Sequence, residues 1–221
     1  MIYENPIVNE ECDEFEVNNW IISRFIVDVL VPIVGTHPFP LSEQVLLVAT
    51  ICRFRPDHVF EWGTNIGKSA RIFFEISKHF QIPFQIHSID LPDDVPHVEH
   101  PGDQRGILVK GLSGVNLYLG DGLDTSINII HEIGSICKPV FFLDGDHSYS
   151  SVYREISTIS QLVHNPVIIV HDTFFQSPKS NYNVGPYEAI KKFLSEKNSQ
   201  YNVISTNTGL PGMTMLYKKR E

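Results

Sequence analysis

Cysteine is scarce in this chain and its pattern pairs nothing. Cys12, Cys52 and Cys137 are odd in number, far apart and never in a C-x-x-C spacing. That excludes a disulfide framework and a structural zinc site, and sets a reduced, cytoplasmic environment as the expectation. Basic residues are short as well: 17 Lys and Arg stand against 26 Asp and Glu, a net charge of −9, so no global field favours a nucleic-acid partner. Long hydrophobic runs are missing. The most apolar early stretch, Trp20 to Val34, is broken by Arg24, Asp28 and Pro32, too short and too charged to span a bilayer, and no membrane partner is expected. The acidic start, with Glu4, Glu10, Glu11, Asp13, Glu14 and Glu16, is the opposite of a signal peptide. Internal repeats and low-complexity tracts are absent too.

What is present is 221 residues, 42% of them hydrophobic, enough to bury one substantial core. The chain reads as a single domain over 1–221, with 1–41 an N-terminal helical extension or cap and 42–221 an α/β core. In the extension, Ile22, Phe25, Ile26, Val29 and Leu30 recur at helical spacing, and Pro32 is expected to end that helix. A second helix, capped by Ser42, carries Val45, Val48, Ala49 and Cys52 on one face and runs out at Arg55-Pro56.

From Asp57 onward, short apolar runs alternate with amphipathic segments, the pattern of β-α-β units and a parallel sheet. Strands are expected at His58 to Glu61, Phe84 to Asp90, Val115 to Leu119, Val140 to Asp144 and Val167 to His171. Several are apolar throughout, as strands covered on both faces should be. Helices are marked by Ile72, Phe73, Ile76 and Phe80, by Val152, Ile156, Ile159 and Val163, and after Gly185-Pro186 by Tyr187, Ile190 and Leu194. Tyr201 to Ser205 and Met213 to Tyr217 flank a Gly-Leu-Pro-Gly turn and should form an antiparallel hairpin.

Open α/β sheets bind ligands beyond the carboxyl ends of their strands. Here those ends are acidic: Glu61, Asp90, Asp121, Asp144 and Asp172 close or follow the first five strands. The first turn, Glu61-Trp62-Gly63-Thr64-Asn65-Ile66-Gly67-Lys68-Ser69, is one residue short of a Walker loop and lacks the first glycine pair of a dinucleotide fingerprint. S-adenosylmethionine has no phosphate and carries a sulfonium cation, so it suits an acidic rim. Glu61 can hold its ammonium with water's help. Asp90, 23 residues beyond Gly67, suits the ribose hydroxyls. Asp121, in Leu119-Gly120-Asp121-Gly122, is placed for the adenine amino group, and serves equally well as a turn aspartate bonding its own backbone.

The order E-W-G-T-N-I-G-K-S, S-I-D, L-G-D-G, F-L-D-G-D-H-S-Y and I-I-V-H-D-T resembles the class I S-adenosylmethionine-dependent methyltransferases. It is most similar to methyltransferase family 24 and to the cephalosporin-hydroxylase-like and macrolide O-methyltransferase-like proteins, over roughly Ser42 to Lys218. The resemblance implies a Rossmann-like, seven-stranded sheet with helices on both faces and its last strand antiparallel. By position it implies a cofactor shell of Glu61, Gly63, Ser69, Asp90 and Asp121, with Thr64, Asn65, Gly67, Leu91, Gly120, Gly122, Asp144 and His147 beside them. Some relatives hold magnesium with the aspartate ending the fourth strand and an acidic pair ending the fifth. The matching positions here are Asp144, His171 and Asp172. One imidazole in the set shifts preference from magnesium toward manganese, iron or zinc. A second departure is His164-Asn165-Pro166, where relatives carry a glycine pair.

Methyl transfer is an in-line displacement, so the enzyme aligns a nucleophile and takes its proton. His147 is the candidate base and Asp144 the second catalytic candidate; His147 could equally cap the following helix or bond a carboxylate. His97 and His100 have ligand-like spacing in a proline-rich loop that reads as solvated. The leader before Ser42, the loop Leu91 to Gly111 and the segment Thr173 to Pro186 are expected over the carboxyl edge as lids; Phe174, Phe175 and Tyr182 would suit a largely apolar acceptor. The leader's helix could instead make a homodimer contact. The expected function is methyl transfer to a small-molecule acceptor, most simply O-methylation of a hydroxyl. A P-loop-like kinase or NTPase and a non-catalytic S-adenosylmethionine-binding protein are the alternatives.

Overall fold

The computed structural model of the protein describes residues 1–12, 14–95, 101–134, 137–175, 179, 182–197, 200–206 and 208–219. His97 and His100 lie outside the described residues. Seven strands form one sheet: β1 (His58–Trp62), β2 (Gln85–Asp90), β3 (Val115–Leu119), β4 (Pro139–Leu143), β5 (Val167–His171), β6 (Tyr201–Ser205) and β7 (Met213–Lys218). Their order is β3-β2-β1-β4-β5-β7-β6, and β7 runs antiparallel to both its neighbours. The chain therefore reverses its strand order beside β1, where β4 pairs with it, and open α/β sheets bind their ligands at the carboxyl ends beside such a reversal. β4 and β5 are buried along their whole length, as their apolar sequences require.

Helices cover both faces. On one side lie α1 (Asn19–Phe25), α2 (Val31–Val34), α3 (Leu41–Phe54) and α4 (Lys68–Phe80), packed on Val59, Ile86, Val140, Phe142 and Ile169. On the other lie α5 (Gly122–Ile133), α6 (Tyr149–Leu162) and α7 (Gly185–Lys197), packed on Phe60, Phe141, Ile168 and Leu216. The two sets of strand residues alternate because side chains on a strand point to opposite faces. Among the described residues, no helix is long and apolar enough to cross a membrane.

Three local expectations are corrected. Pro32 does not end the first helix: a π-helical turn, Ile26–Leu30, leads into α2, and Val31 N–H reaches back to Ile26 O. The wider turn accommodates a residue that has no N–H to give and whose ring crowds the preceding turn. Ser42 is not a cap: α3 starts at Leu41 behind Pro40, with no side-chain cap bond. Third, most of the leader is not a lid. Tyr3 N–H bonds His79 O at the far end of α4, and Phe15 packs on Phe54 and Tyr217, all at the amino edge of the sheet. The apolar face of α1 is spent inside the chain, with Ile22 and Phe25 fully buried. The stretch from Gly35 to Gln44 does approach the carboxyl edge, where His37 O accepts from Lys68 and Glu43 reaches His171.

Candidate active site

The first turn is built by backbone crowding. Gly63 has φ +90°, and a Cβ there would lie 2.2 Å from the Asp144 carbonyl oxygen, so only glycine lets β1 and β4 close on one another. Gly122 is constrained differently: a Cβ would fall 2.4 Å from the Trp62 indole, whose N–H donates to Ser126 Oγ at 2.9 Å.

Glu61 sits on β1 with no exposed surface. Ser69 and Ser88 hydroxyls each donate to one of its oxygens, and Thr64 Oγ1 continues the chain to Ser88 at 2.7 Å. Burial pushes the Glu61 carboxyl up to about 8, against the pull of the two serine hydroxyls. Glu61, Thr64 and Ser69 thus support the turn from beneath. Ser88, which completes the network, escaped the sequence reading; its signal was its place opposite Glu61 in the strand register. The Walker alternative loses its residues here. Ser69 is committed to Glu61, and Lys68 Nζ donates to His37 O at 2.6 Å, so neither is presented to a phosphate.

Asp90 ends β2 and accepts from Leu91 N at 3.0 Å and Asn65 N at 3.2 Å, which joins the first turn to the second strand. Arg105 Nε reaches the same carboxylate at 3.0 Å while its other end holds Leu91 O and Asp93. The segment around Gly106 lies against the turn, with Gly106 N donating to Asn65 O and Gly67 packed beneath it. Gly120 N donates to Asp90 O, and Asp121 caps α5 by accepting from Asp124 N at 3.0 Å and pairs with Arg154 at 2.8 Å. Burial raises the Asp121 carboxyl, but those two contacts outweigh it and hold the group below its usual range. The helix-capping use of Asp121 is therefore the one seen.

The fourth and fifth strand ends meet in a dense polar cluster. Asp144, His171 and Asp172 offer two carboxylate oxygens and one ring nitrogen, all within 4.8 Å of one another. His171 Nδ1 lies 2.8 Å from Asp144 Oδ1 and 3.5 Å from Asp172 Oδ1, and its Nε2 lies 3.0 Å from Glu43 Oε2. Burial alone would lower the His171 ring, but Asp144, then Glu43 and Asp172, raise it well above the ordinary histidine range. Two hard oxygens with one imidazole, whose second nitrogen is held by a carboxylate, is a donor set that fits a divalent ion of the manganese-to-zinc series.

Asp172, at φ +58°, gathers the segment expected as a lid. Tyr182 Oη donates to it at 2.8 Å and Asn183 Nδ2 at 2.7 Å. Burial, then the Asp172 carboxylate, pushes the Tyr182 phenol up. His147 Nδ1 stands 3.2 Å from Asp172 Oδ2, with 30% of the side chain exposed. Capping of α6 falls instead to Ser148, which accepts from Ser151 N and is itself held by Asp146. Tyr149 stacks on Tyr153 at 5.9 Å.

A seven-stranded sheet in this order, with an antiparallel seventh strand and the site at the carboxyl ends, defines a class I methyltransferase-like fold. Residues 41–209 match the model of the rhamnosyl O-methyltransferase/CmcI family, and the chain belongs to that family. It is 24% identical to the rhamnosyl O-methyltransferase of Mycobacterium leprae over 164 residues, 68% of this chain and 64% of that protein, so it spans just under two-thirds of that relative's length. Among solved structures, it resembles the O-methyltransferase from Bacillus cereus in complex with SAH, with a TM-score of 0.57 and 14% identity over 88% of this chain and 89% of that one. It also resembles CalS11, a TDP-rhamnose 3′-O-methyltransferase of calicheamicin biosynthesis, with a TM-score of 0.57 and 13% identity over 90% and 87%.

Proposed function

We propose that the protein is an S-adenosylmethionine-dependent O-methyltransferase whose acceptor is a hydroxyl of a small molecule, most specifically of a deoxysugar such as rhamnose or a conjugate bearing one. The observation that carries this reading is the His147–Asp172 pair at the carboxyl edge of a chain that belongs to the rhamnosyl O-methyltransferase/CmcI family. The cofactor supplies an electrophilic methyl on sulfur. In the transfer the acceptor O–CH3 bond forms as the S–CH3 bond breaks, and the hydroxyl proton must leave. With Nδ1 held by Asp172, the ring's other nitrogen, Nε2, is the site for that proton, the role of a base oriented by a carboxylate. Gly63 lets the backbone approach the amino-acid tail, Asp90 suits the ribose hydroxyls, and Asp121 and Leu91 would flank the adenine. Asp144, His171 and Asp172 are the residues that would hold a divalent ion, manganese in preference to magnesium. Such an ion lowers the pKa of a coordinated hydroxyl. The aromatic rings of Phe175 and Tyr187, 5.0 Å apart, suit an acceptor with an apolar face. The cytoplasm, and action as a homodimer, remain part of this proposal.

The test is isothermal titration with S-adenosylmethionine, S-adenosylhomocysteine and ATP, followed by methyl transfer to a rhamnosylated acceptor. Micromolar binding of the two sulfur ligands without ATP is expected. His147→Ala should lower kcat by about 10²- to 10⁴-fold while leaving S-adenosylhomocysteine affinity within about twofold. Binding of ATP alone, or equal loss of affinity and turnover in the variant, overturns the reading.

A further inference from the structure

Glu43 belongs to none of the strand-end motifs. It lies in the first turn of α3, 128 residues before His171, yet its side chain is only 2% exposed. A carboxylate so buried is strongly destabilising unless each oxygen is paired. Both are: Gly212 N donates to Oε1 at 2.8 Å, and Oε2 faces His171 Nε2 at 3.0 Å. Phe39 meets the imidazole edge-on at 5.1 Å, and Phe142, itself packed on Phe39, is tilted against it at 6.3 Å. The ring is therefore fixed by two aromatic walls and one carboxylate, with Nδ1 directed to Asp144 and Asp172.

A histidine that binds a metal through one nitrogen almost always donates its other N–H to a carboxylate, carbonyl or water, which sets tautomer and orientation. The Glu43–His171 pair has that geometry. We infer that Glu43 is a positioning residue that holds Nε2–H of His171 so that Nδ1 completes a metal site with Asp144 and Asp172, tuned to a manganese-class ion over magnesium. With an ion in place, Nδ1 serves as ligand and Nε2–H alone remains for Glu43. Magnesium prefers an all-oxygen octahedron and gains little from the ring, whereas the later divalent ions gain from it. Metal binding is separable from methyl transfer, and the inference depends on the proposed function only for what the ion is used for.

The experiment is a titration of the full chain with Mn²⁺, followed by electron paramagnetic resonance of the free ion, with Mg²⁺ as competitor. S-adenosylhomocysteine affinity is measured on the same samples. One equivalent of Mn²⁺ should bind, and equimolar Mg²⁺ should not displace it. Glu43→Gln should weaken Mn²⁺ by about 10- to 100-fold with S-adenosylhomocysteine affinity unchanged. Wild-type protein that takes up no Mn²⁺, or a Gln variant that binds it as tightly as wild type, overturns the inference. Should the variant fold poorly, long-range ¹H–¹⁵N spectra of the wild-type chain loaded with diamagnetic Zn²⁺ decide it: His171 protonated at Nε2 supports the assignment, and a proton at Nδ1 overturns it. Mn²⁺ binding without any S-adenosylhomocysteine binding would leave this inference standing and overturn the proposed function.

Discussion

Asp90 is already committed to the fold, and the proposed ribose contact has to be added to that commitment. Two backbone N–H groups and the Arg105 guanidinium already converge on it, so a ribose must share or displace the arginine's contact. Charge-assisted hydrogen bonds are the stronger kind, and Asp90→Ala should weaken S-adenosylhomocysteine by about tenfold or more. An unchanged dissociation constant in the titration removes the ribose assignment. At this scale the sequence was informative where a turn forces the backbone, as at Gly63, and not for the serine hydroxyls that occupy Glu61. Glu43 was illegible. A lone glutamate in an amphipathic helix reads as solvated, and nothing local announces a partner 128 positions away. Arg105 was hidden for the same reason, because it lies in a stretch with no periodicity of its own.

At the scale of elements, the strand-to-helix turn after β1 holds the site together. Gly63 lies against the Asp144 backbone, and backbone cannot give way as a flexible side chain can. Gly63→Ala combines that collision with a left-handed φ and should cost about 3 kcal/mol or more, lowering Tm by roughly 6 to 12 °C in a circular-dichroism melt. A Tm within a degree of wild type would show that β1 and β4 are not locked as described. The strands were legible in sequence to within a residue or so, because fully buried parallel strands read as unbroken apolar runs. Helix ends were less so. Pro32 misled because a π turn relieves the lost hydrogen bond, and Ser42 because Pro40 already stood at the start of α3. The π turn has no local sequence signal, whereas Pro40 was there to be read.

The whole molecule concentrates negative charge at one sheet edge and buries part of it. The folded Glu61 carboxyl keeps its proton up to about 8 because of burial, whereas an unfolded glutamate ionises near its ordinary value of 4.5. Between those values the native state binds more protons than the unfolded state, so stability present below about pH 4.5 declines as pH rises toward 8. Glu61→Gln keeps the shape and removes the titration. Its Tm should therefore fall less steeply than that of wild type between pH 5 and 8 in a buffer series, and parallel curves would refute the buried, protonated state.

The sequence by itself determined the α/β class, the positions of the strands and the apolar helix faces, and the acidic strand ends, because periodicity and glycine turns are local consequences of backbone geometry. Only the tertiary structure decided which of those acids meet. It sent most of the leader to the amino edge, spent Ser69 and Lys68 away from any phosphate, and gave Asp121 a helix cap to make and an arginine to pair with. It also carried Glu43 and the Gly212 turn across the molecule to His171. Contacts of that kind arise from how distant segments share one core, and no spacing along the chain encodes them.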